Sequence, residues 1–163
     1  MSYVPEKLIF DLEGFEEFEQ QLKQMAEGFR GDLVARNTLV PAAKIAMESV
    51  LNSAEARAPV GDKPRDEKNP FHMRDTIRLD ARIPNEKDKQ SEYVNETDAA
   101  IAVVSVKKSA VSLAQEFGTS KIGAKSFLRP ALQQNAGTVL TVLKSQLASR
   151  IPDYAAKLAR KRK

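Results

Sequence analysis

The side chains that most often perform acid–base or nucleophilic chemistry are scarce in this sequence. His72 is its one histidine, it stands between Phe71 and Met73, and the chain has no cysteine. Thiolate nucleophiles, disulfides and metal sites built from several histidines or thiolates are therefore excluded. No glycine-rich phosphate loop or nucleophile elbow is present. The serines that lack a neighbouring base are Ser105, Ser109, Ser112 and Ser126. The sequence predicts a protein that is not an enzyme and holds no cofactor.

One group of carboxylates has the chemistry of a hard-cation site. Asp62, Asp66 and Glu67 lie close together in the segment DKPRDEKN. The alternating ligand pattern of a calcium loop is missing, and the neighbouring lysines and arginine compete for the carboxylates. We therefore expect a mobile, exposed loop over Asp62 to Asn69 and no metal site.

The positive charge of the chain is concentrated at its C-terminal end. The formal net charge is +4, and five positive side chains lie within the last seven residues, so the rest carries −1. Such a cluster binds phosphates with at most about five contacts and a steep salt dependence. Tyr154 is the only aromatic residue near it, which argues against stacking on bases. A solvated charged end is the other open interpretation. The five side chains are Lys157, Arg160, Lys161, Arg162 and Lys163.

Length and composition indicate one soluble domain. Of the 163 residues, 42% are hydrophobic and 29% are charged, which is ordinary for a globular protein. No apolar run approaches the ~20 residues of a membrane span, and the N-terminus lacks a signal-peptide pattern. The absence of cysteine is compatible with a reducing cytoplasm. We expect a single domain over residues 1–152 and a basic tail over 153–163, without membrane association.

Two helices are predicted in the N-terminal third. Between Phe15 and Phe29 a narrow apolar stripe has helical spacing, with Asp11 as a candidate N-cap. This stripe packs either on the chain's own sheet or on a neighbouring subunit. The second helix is predicted from Thr38, as N-cap, to Ala58, where the following proline ends it.

The hydrophobic period then changes from helical to alternating. Residues Ile77 to Ile83 alternate as in a half-buried strand. A polar loop, Pro84 to Thr97, precedes an evenly apolar segment, Ala99 to Val106, that predicts a more buried strand. The last helix is expected to break at Ile151–Asp153. The predicted class is α+β: two N-terminal helices, a three- to four-stranded antiparallel sheet, and a C-terminal helix packed on it.

A tight corner is predicted between the sheet and the last helix. Gly118 can adopt the positive φ that such a corner requires. Ser126 is a candidate N-cap for the last helix, and Pro130 is tolerated within its first turn. Phe117 and Phe127 are expected to pin the two ends of the intervening loop into the core.

Four short motifs follow one another along the chain. They are Ala58-Pro59-Val60, Met73-Arg74-Asp75-Thr76-Ile77, Glu116-Phe117-Gly118-Thr119 and Ser126-Phe127-Leu128-Arg129-Pro130-Ala131-Leu132. In this order they resemble the signature of one protein family, the neck or tail-completion proteins of long-tailed bacteriophages. The likeness covers roughly residues 35 to 145. Two positions depart from the family pattern, because Pro70-Phe71-His72 replaces the usual glycine and Ser126 replaces a common proline.

This resemblance implies a structural virion protein. Family members form rings through which phage DNA passes, so the implied site is the junction of head connector and tail. The implied partners are further copies in a ring, expected to be hexameric, the neighbouring connector or stopper and tail terminator or tube proteins, and DNA in the lumen. The implied location is the virion, after synthesis in the cytoplasm of the host bacterium.

The resemblance also indicates which residues belong to the motif and its interface. The basic tail is the candidate contact with DNA or with the adjoining ring. The alternative from another class is a small DNA-binding protein that uses this tail. The motif and interface residues are Pro59, Arg74, Glu116, Phe117, Gly118, Thr119, Phe127, Arg129 and Pro130.

Overall fold

The computed structural model describes residues 35–61, 71–96 and 98–161. All of them belong to one compact unit, Asp32–Lys163. The helix predicted between Phe15 and Phe29 and the loop Asp62 to Asn69 lie outside the described residues. In chain order the elements are α1 (Val40–Arg57), β1 (Arg78–Arg82), β2 (Ile101–Ser105), α2 (Ala110–Phe117) and α3 (Leu128–Lys161).

Helix α1 occupies the centre of this unit. A π-helical turn, Ala35–Leu39, leads into it, so Leu39 already has helical backbone angles and the buried Thr38 is not its N-cap. The predicted end is confirmed: Ala58 is extended, with φ −60° and ψ 127°, as the residue before a proline prefers. The buried face repeats every four residues and is made of small side chains that allow close helix packing. These side chains are Ala42, Ala46, Val50 and Ala54.

Strands β1 and β2 pair in antiparallel fashion, with Arg78 opposite Ser105 and Arg82 opposite Ile101. The alternation predicted for β1 is confirmed, because Asp80 is exposed and its neighbours Leu79 and Ala81 are half-buried. The sheet therefore presents one face to the core and the other to solvent.

The prediction of a more buried second strand is wrong. Val103 of β2 is 38% exposed, and Ser105 is exposed as well. With α1 on one face of the sheet, every second side chain of both strands points away from the core. An evenly apolar sequence therefore does not require a strand covered on both faces.

The described residues form two strands, not the three or four predicted. The apolar segment that follows β2 is helix α2, and two serines explain why. Ser109 Oγ accepts the N–H of Ser112 (3.1 Å), and Ser112 Oγ accepts the N–H of Ser109 (2.9 Å). This reciprocal capping box fixes the start of a helix. The unit is thus α+β, with a two-stranded antiparallel sheet.

Helix α1 contacts both strands of the sheet and also α3. Arg57, at the end of α1, donates a hydrogen bond to Gln134, near the start of α3, and α3 also contacts the π-helical turn before α1. The two helices are therefore antiparallel. The C-terminal helix packs mainly on α1, whereas the sequence predicted that it packs on the sheet.

The break predicted at Ile151–Asp153 does not occur. Helix α3 continues through Pro152 to Lys161. Ile151 is only 8% exposed and Leu147, one turn earlier, only 2%. Their burial holds the helix in place next to a proline that lacks one N–H donor. None of the described helices is long and apolar enough to span a membrane.

Candidate functional site

The four sequence motifs meet at one end of the core. Ala58 from the first motif, Ile77 from the second, and Phe127 and Ala131 from the fourth belong to one buried cluster. Phe127 and Ala131 have no exposed surface. The third motif joins them through the carboxylate of Glu116. Segments spread over more than seventy residues of the sequence are therefore parts of one packed structure.

The Glu116 carboxylate caps the N-terminus of α3. Oε2 accepts the N–H groups of Phe127 (2.9 Å) and Leu128 (3.1 Å), and Oε1 accepts that of Arg129 (3.2 Å). The next residue, Pro130, has no N–H. The four backbone positions that lack intrahelical partners at a helix start are thus all accounted for. A negative charge at this end is also favoured by the helix dipole.

Ser126 is therefore not the N-cap, contrary to the sequence prediction. Its hydroxyl donates instead to the carbonyl oxygen of Glu116 (2.7 Å). Lys125 adds a second bond to the same turn, from its N–H to the carbonyl of Gln115 (2.8 Å). The end of α2 and the start of α3 are thus joined by both backbone and side-chain hydrogen bonds.

The positive φ predicted for Gly118 is confirmed. Its φ of 77° and ψ of 179° lie in a region that is essentially restricted to glycine. A Cβ atom here would lie 2.8 Å from the backbone nitrogen of Ala124 and 3.0 Å from the carbonyl oxygen of Ile122. Thr119 closes the loop, since its N–H donates to that same oxygen (2.8 Å). The corner therefore needs glycine for conformation and for space.

Helix α2 points its polar side chains inward and its apolar ones outward. Ser112 and Glu116 are buried, whereas Leu113 and Phe117 are 43% and 59% exposed. Ile122, in the loop that follows, is 56% exposed. Phe117 was predicted to lie in the core, and that prediction is wrong because the inner face of α2 is occupied by the capping carboxylate. We call Leu113, Phe117 and Ile122 the α2 apolar face.

Four exposed lysines flank α2 in sequence, two before it and two in the loop that follows. The only carboxylate between residues 107 and 125 is that of Glu116, which is buried and bonded to the start of α3. None of the ion pairs formed by the described residues involves these lysines. They are Lys107, Lys108, Lys121 and Lys125, all exposed.

The loop between β1 and β2 has the opposite charge. Between residues 85 and 98 it carries five carboxylates and two lysines, which gives a formal charge of −3. Arg82 donates two hydrogen bonds to Asp88 (2.6 and 3.1 Å), and this pairing lowers the pKa of the Asp88 carboxyl. Tyr93 is 58% exposed, and the carboxylates of Glu92 and Glu96 beside it are exposed too. We call residues 85–98 the acidic loop.

His72 and Pro59 line a solvent-open cleft of about 290 Å³ next to α2. His72 and Asp75 together close a 3₁₀ turn. The N–H of His72 donates to the Asp75 carboxylate (3.1 Å), and the N–H of Asp75 donates to the carbonyl oxygen of His72 (3.0 Å). Arg74 lies in this turn, which precedes β1, and is exposed.

The basic C-terminal positions are only partly described. The backbone is helical to Lys161, and Arg160 is exposed, while Arg162 and Lys163 lie outside the described residues. The carboxylates Asp62, Asp66 and Glu67 lie outside them as well. In the described ranges, no group of three or more histidine, cysteine or carboxylate side chains is placed to hold a metal ion.

Sequence reasoning identified the motif residues but missed the surfaces around them. It assigned Glu116 to a corner and did not identify it as the cap of α3, and it did not single out Leu113, Ile122 or Tyr93. A signal for α2 is present in the sequence. Ser109 and Ser112 have capping-box spacing, and Ser112 and Glu116 lie four residues apart on one face of the resulting helix.

The chain matches no protein-family model, no curated protein and no solved structure.

Replacing Gly118 by valine should destabilise the protein by about 1 to 3 kcal/mol, because a β-branched residue is strained at this φ and meets the backbone of Ala124. Gly123→Ala is the matched control, since a Cβ there meets no atom within 4 Å. Urea denaturation measures both variants. Equal midpoints for Gly118→Val and the unsubstituted protein would contradict the geometry described for the corner.

Replacing Glu116 by alanine should cost about 2 kcal/mol or more, because a buried helix start loses the acceptor of three N–H groups. Glu116→Gln keeps one acceptor oxygen and should cost less. Glu48→Ala, at an exposed position of α1, is the control and should change stability by no more than about 0.5 kcal/mol. Thermal unfolding monitored by circular dichroism ranks the three, and a Glu116→Ala variant as stable as the control would refute the capping role.

Proposed function

We propose that this chain is a structural virion protein of a long-tailed bacteriophage. Copies of it form a ring at the head–tail junction that joins the tail to the head connector and lets DNA pass. The observation that carries this proposal is the meeting of the four motif segments around one core cluster and one capping carboxylate. Three of the four segments contribute to one buried cluster, and Glu116 of the remaining segment bonds to Phe127 in it, all within one compact unit, so the likeness covers a contiguous part of the fold.

The use of the polar side chains supports a structural role over a catalytic one. Glu116 is bonded to three backbone N–H groups, Ser109 and Ser112 bond each other, and the Asp75 carboxylate accepts the N–H of His72. Each of these groups supports a turn or a helix start. Catalysis needs a nucleophile and a base that are placed to act on a substrate.

The outward-facing apolar residues of α2 support assembly. Exposed apolar groups that lie together on a surface commonly mark a protein–protein contact. A ring of identical subunits uses two different surfaces of each subunit, and the rotation between neighbours closes the ring. We propose six subunits, in keeping with the symmetry implied for the tail. Neighbours along the axis are the connector or stopper on one side and the tail terminator or tube on the other.

A ring is tested directly by particle images of the purified full-length protein. Negative-stain electron microscopy should show closed rings, and light scattering should give six times the subunit mass of 18.1 kDa. In a phage that encodes this chain, a stop codon in its gene should give separate heads and tails. Joined, infectious particles in the absence of the protein would contradict the proposal.

The basic end of α3 supports contact with DNA, either in the ring's lumen or in the alternative function of a small DNA-binding protein. Since the helix continues to Lys161, the basic positions 157, 160 and 161 have the i, i+3, i+4 spacing of one helix side. The two functions differ in assembly and affinity. A ring subunit should bind free duplex weakly, whereas tight, sequence-dependent binding by a monomer would favour the alternative.

Substituting glutamine at Lys157, Arg160 and Lys161 should weaken duplex binding and flatten its salt dependence. Each phosphate contact removed lowers the slope of log affinity against log salt by about 0.9, so three lower it by about 2.7. Fluorescence anisotropy at several salt concentrations measures this. Arg36→Gln with Lys44→Gln, at exposed positions near the start of α1, is the control. An unchanged slope in the triple variant would mean that the tail does not bind phosphates.

A further inference from the structure

We infer that the α2 apolar face with its lysines is the docking surface for the acidic loop of a second copy of this chain. The inference rests on the ring proposed above and deepens it by assigning the two surfaces that meet. Tyr93, between the acidic positions of the loop, contacts Leu113 and Phe117 of the neighbouring copy. The lysines that flank α2 face Glu92 and Glu96.

The α2 apolar face has the features of a contact surface. Leu113 and Phe117 are four residues apart on one side of α2, and Ile122, in the loop that follows, is exposed as well. The opposite side of α2 is held by the Glu116 cap and the Ser109–Ser112 box, so the helix cannot rotate to bury these residues. Large apolar side chains held in solvent by the fold favour association.

The acidic loop complements this surface in charge. It carries −3 against four exposed lysines, and opposite charges across an interface increase both the rate and the selectivity of association. Hydrogen bonds within a single copy already fix the backbone of the acidic loop. Asn85 Oδ1 accepts the N–H groups of Lys87 (2.9 Å) and Asp88 (3.0 Å), and Asp98 accepts that of Asn95 (2.8 Å). Tyrosine side chains often contribute a large share of the binding free energy at an interface, and a pre-formed loop loses less conformational entropy on binding.

The topology separates the two surfaces within one copy. The acidic loop leaves the sheet where Arg82 pairs with Ile101, and α2 follows from the other end, where Arg78 pairs with Ser105. Val111 of α2 also lines the cleft that contains Met73, just before β1. About 15 Å of strand therefore lies between the surfaces. Two different surfaces at opposite ends of a sheet give a head-to-tail contact, as a closed ring requires.

Charge reversal tests this pairing in the full-length protein. The first variant carries Lys121→Glu and Lys125→Glu, and the second carries Glu92→Lys and Glu96→Lys. Each should raise the dissociation constant for self-association at least about tenfold, measured by sedimentation velocity and light scattering. Arg36→Glu with Lys44→Glu makes the same change in charge as the first variant, at exposed positions that belong to neither surface, and should assemble normally.

Mixing the two charge-reversed variants should restore assembly, because each then presents the surface that the other needs. A single chain with all four substitutions should assemble as well. Phe117→Ser should weaken association while circular dichroism shows an unchanged fold, since Phe117 is 59% exposed. These rescues are expected only if the loop of one copy meets α2 of the next.

Three results would overturn the inference: normal assembly of either charge-reversed variant, no rescue on mixing, or a full-length protein that stays monomeric at its highest soluble concentration. The proposed function fails separately. If the rescues occur but phage lacking the gene still join heads to tails, the interface stands and the neck function does not. If rings form and join particles regardless of charge reversal, the neck function stands and this interface does not.

Discussion

The start of α3 depends on a carboxylate that reaches it from another helix. Glu116 accepts three N–H groups at the first turn, and Pro130 removes the need for a fourth acceptor. Because the carboxylate belongs to the end of α2, the position of α3 is tied to that of α2. The side chain of Phe127, whose N–H is the first of the three, is fully buried between the motif segments. The core at this end is therefore held by an electrostatic interaction as well as by apolar packing.

The same interaction explains why the apolar side chains Leu113 and Phe117 of α2 face solvent and its polar ones face the core. Its inner side is occupied by Glu116 and Ser112, so the apolar Leu113 and Phe117 are turned outward. In most surface helices the apolar stripe faces the core. Here the inner side stabilises two helix starts, one through the serine box and one through the carboxylate. The exposed apolar side chains are thus a consequence of how the helices are capped, and in the assembly proposed above they form the contact between copies.

Local rules predicted the parts of the fold that depend on neighbouring residues. The end of α1 before Pro59, the alternation along β1 and the positive φ of Gly118 each follow from a few adjacent side chains. The predictions for Phe117, β2 and Pro152 were wrong. The burial of the first two and the continuity of the helix at the third depend on contacts with residues that are distant in sequence. The exposure of Phe117 depends on Glu116, that of Val103 on a sheet covered on one side, and the continuity of α3 at Pro152 on the burial of Ile151. The motif residues could be identified from the sequence alone. The α2 apolar face and the acidic loop could be identified only from the strand pairing and the positions of the helices.

Pro152 gives α3 a defined place at which to bend. Without an N–H at this position, the carbonyl of Ala148 lacks its usual intrahelical donor, and Ala148 is exposed, so water can bond to that oxygen. The helix therefore has one backbone hydrogen bond fewer in the turn that follows the buried Leu147. In the DNA contact proposed above, a bend at this turn changes the direction of the basic end and leaves the packing between α1 and α3 unchanged.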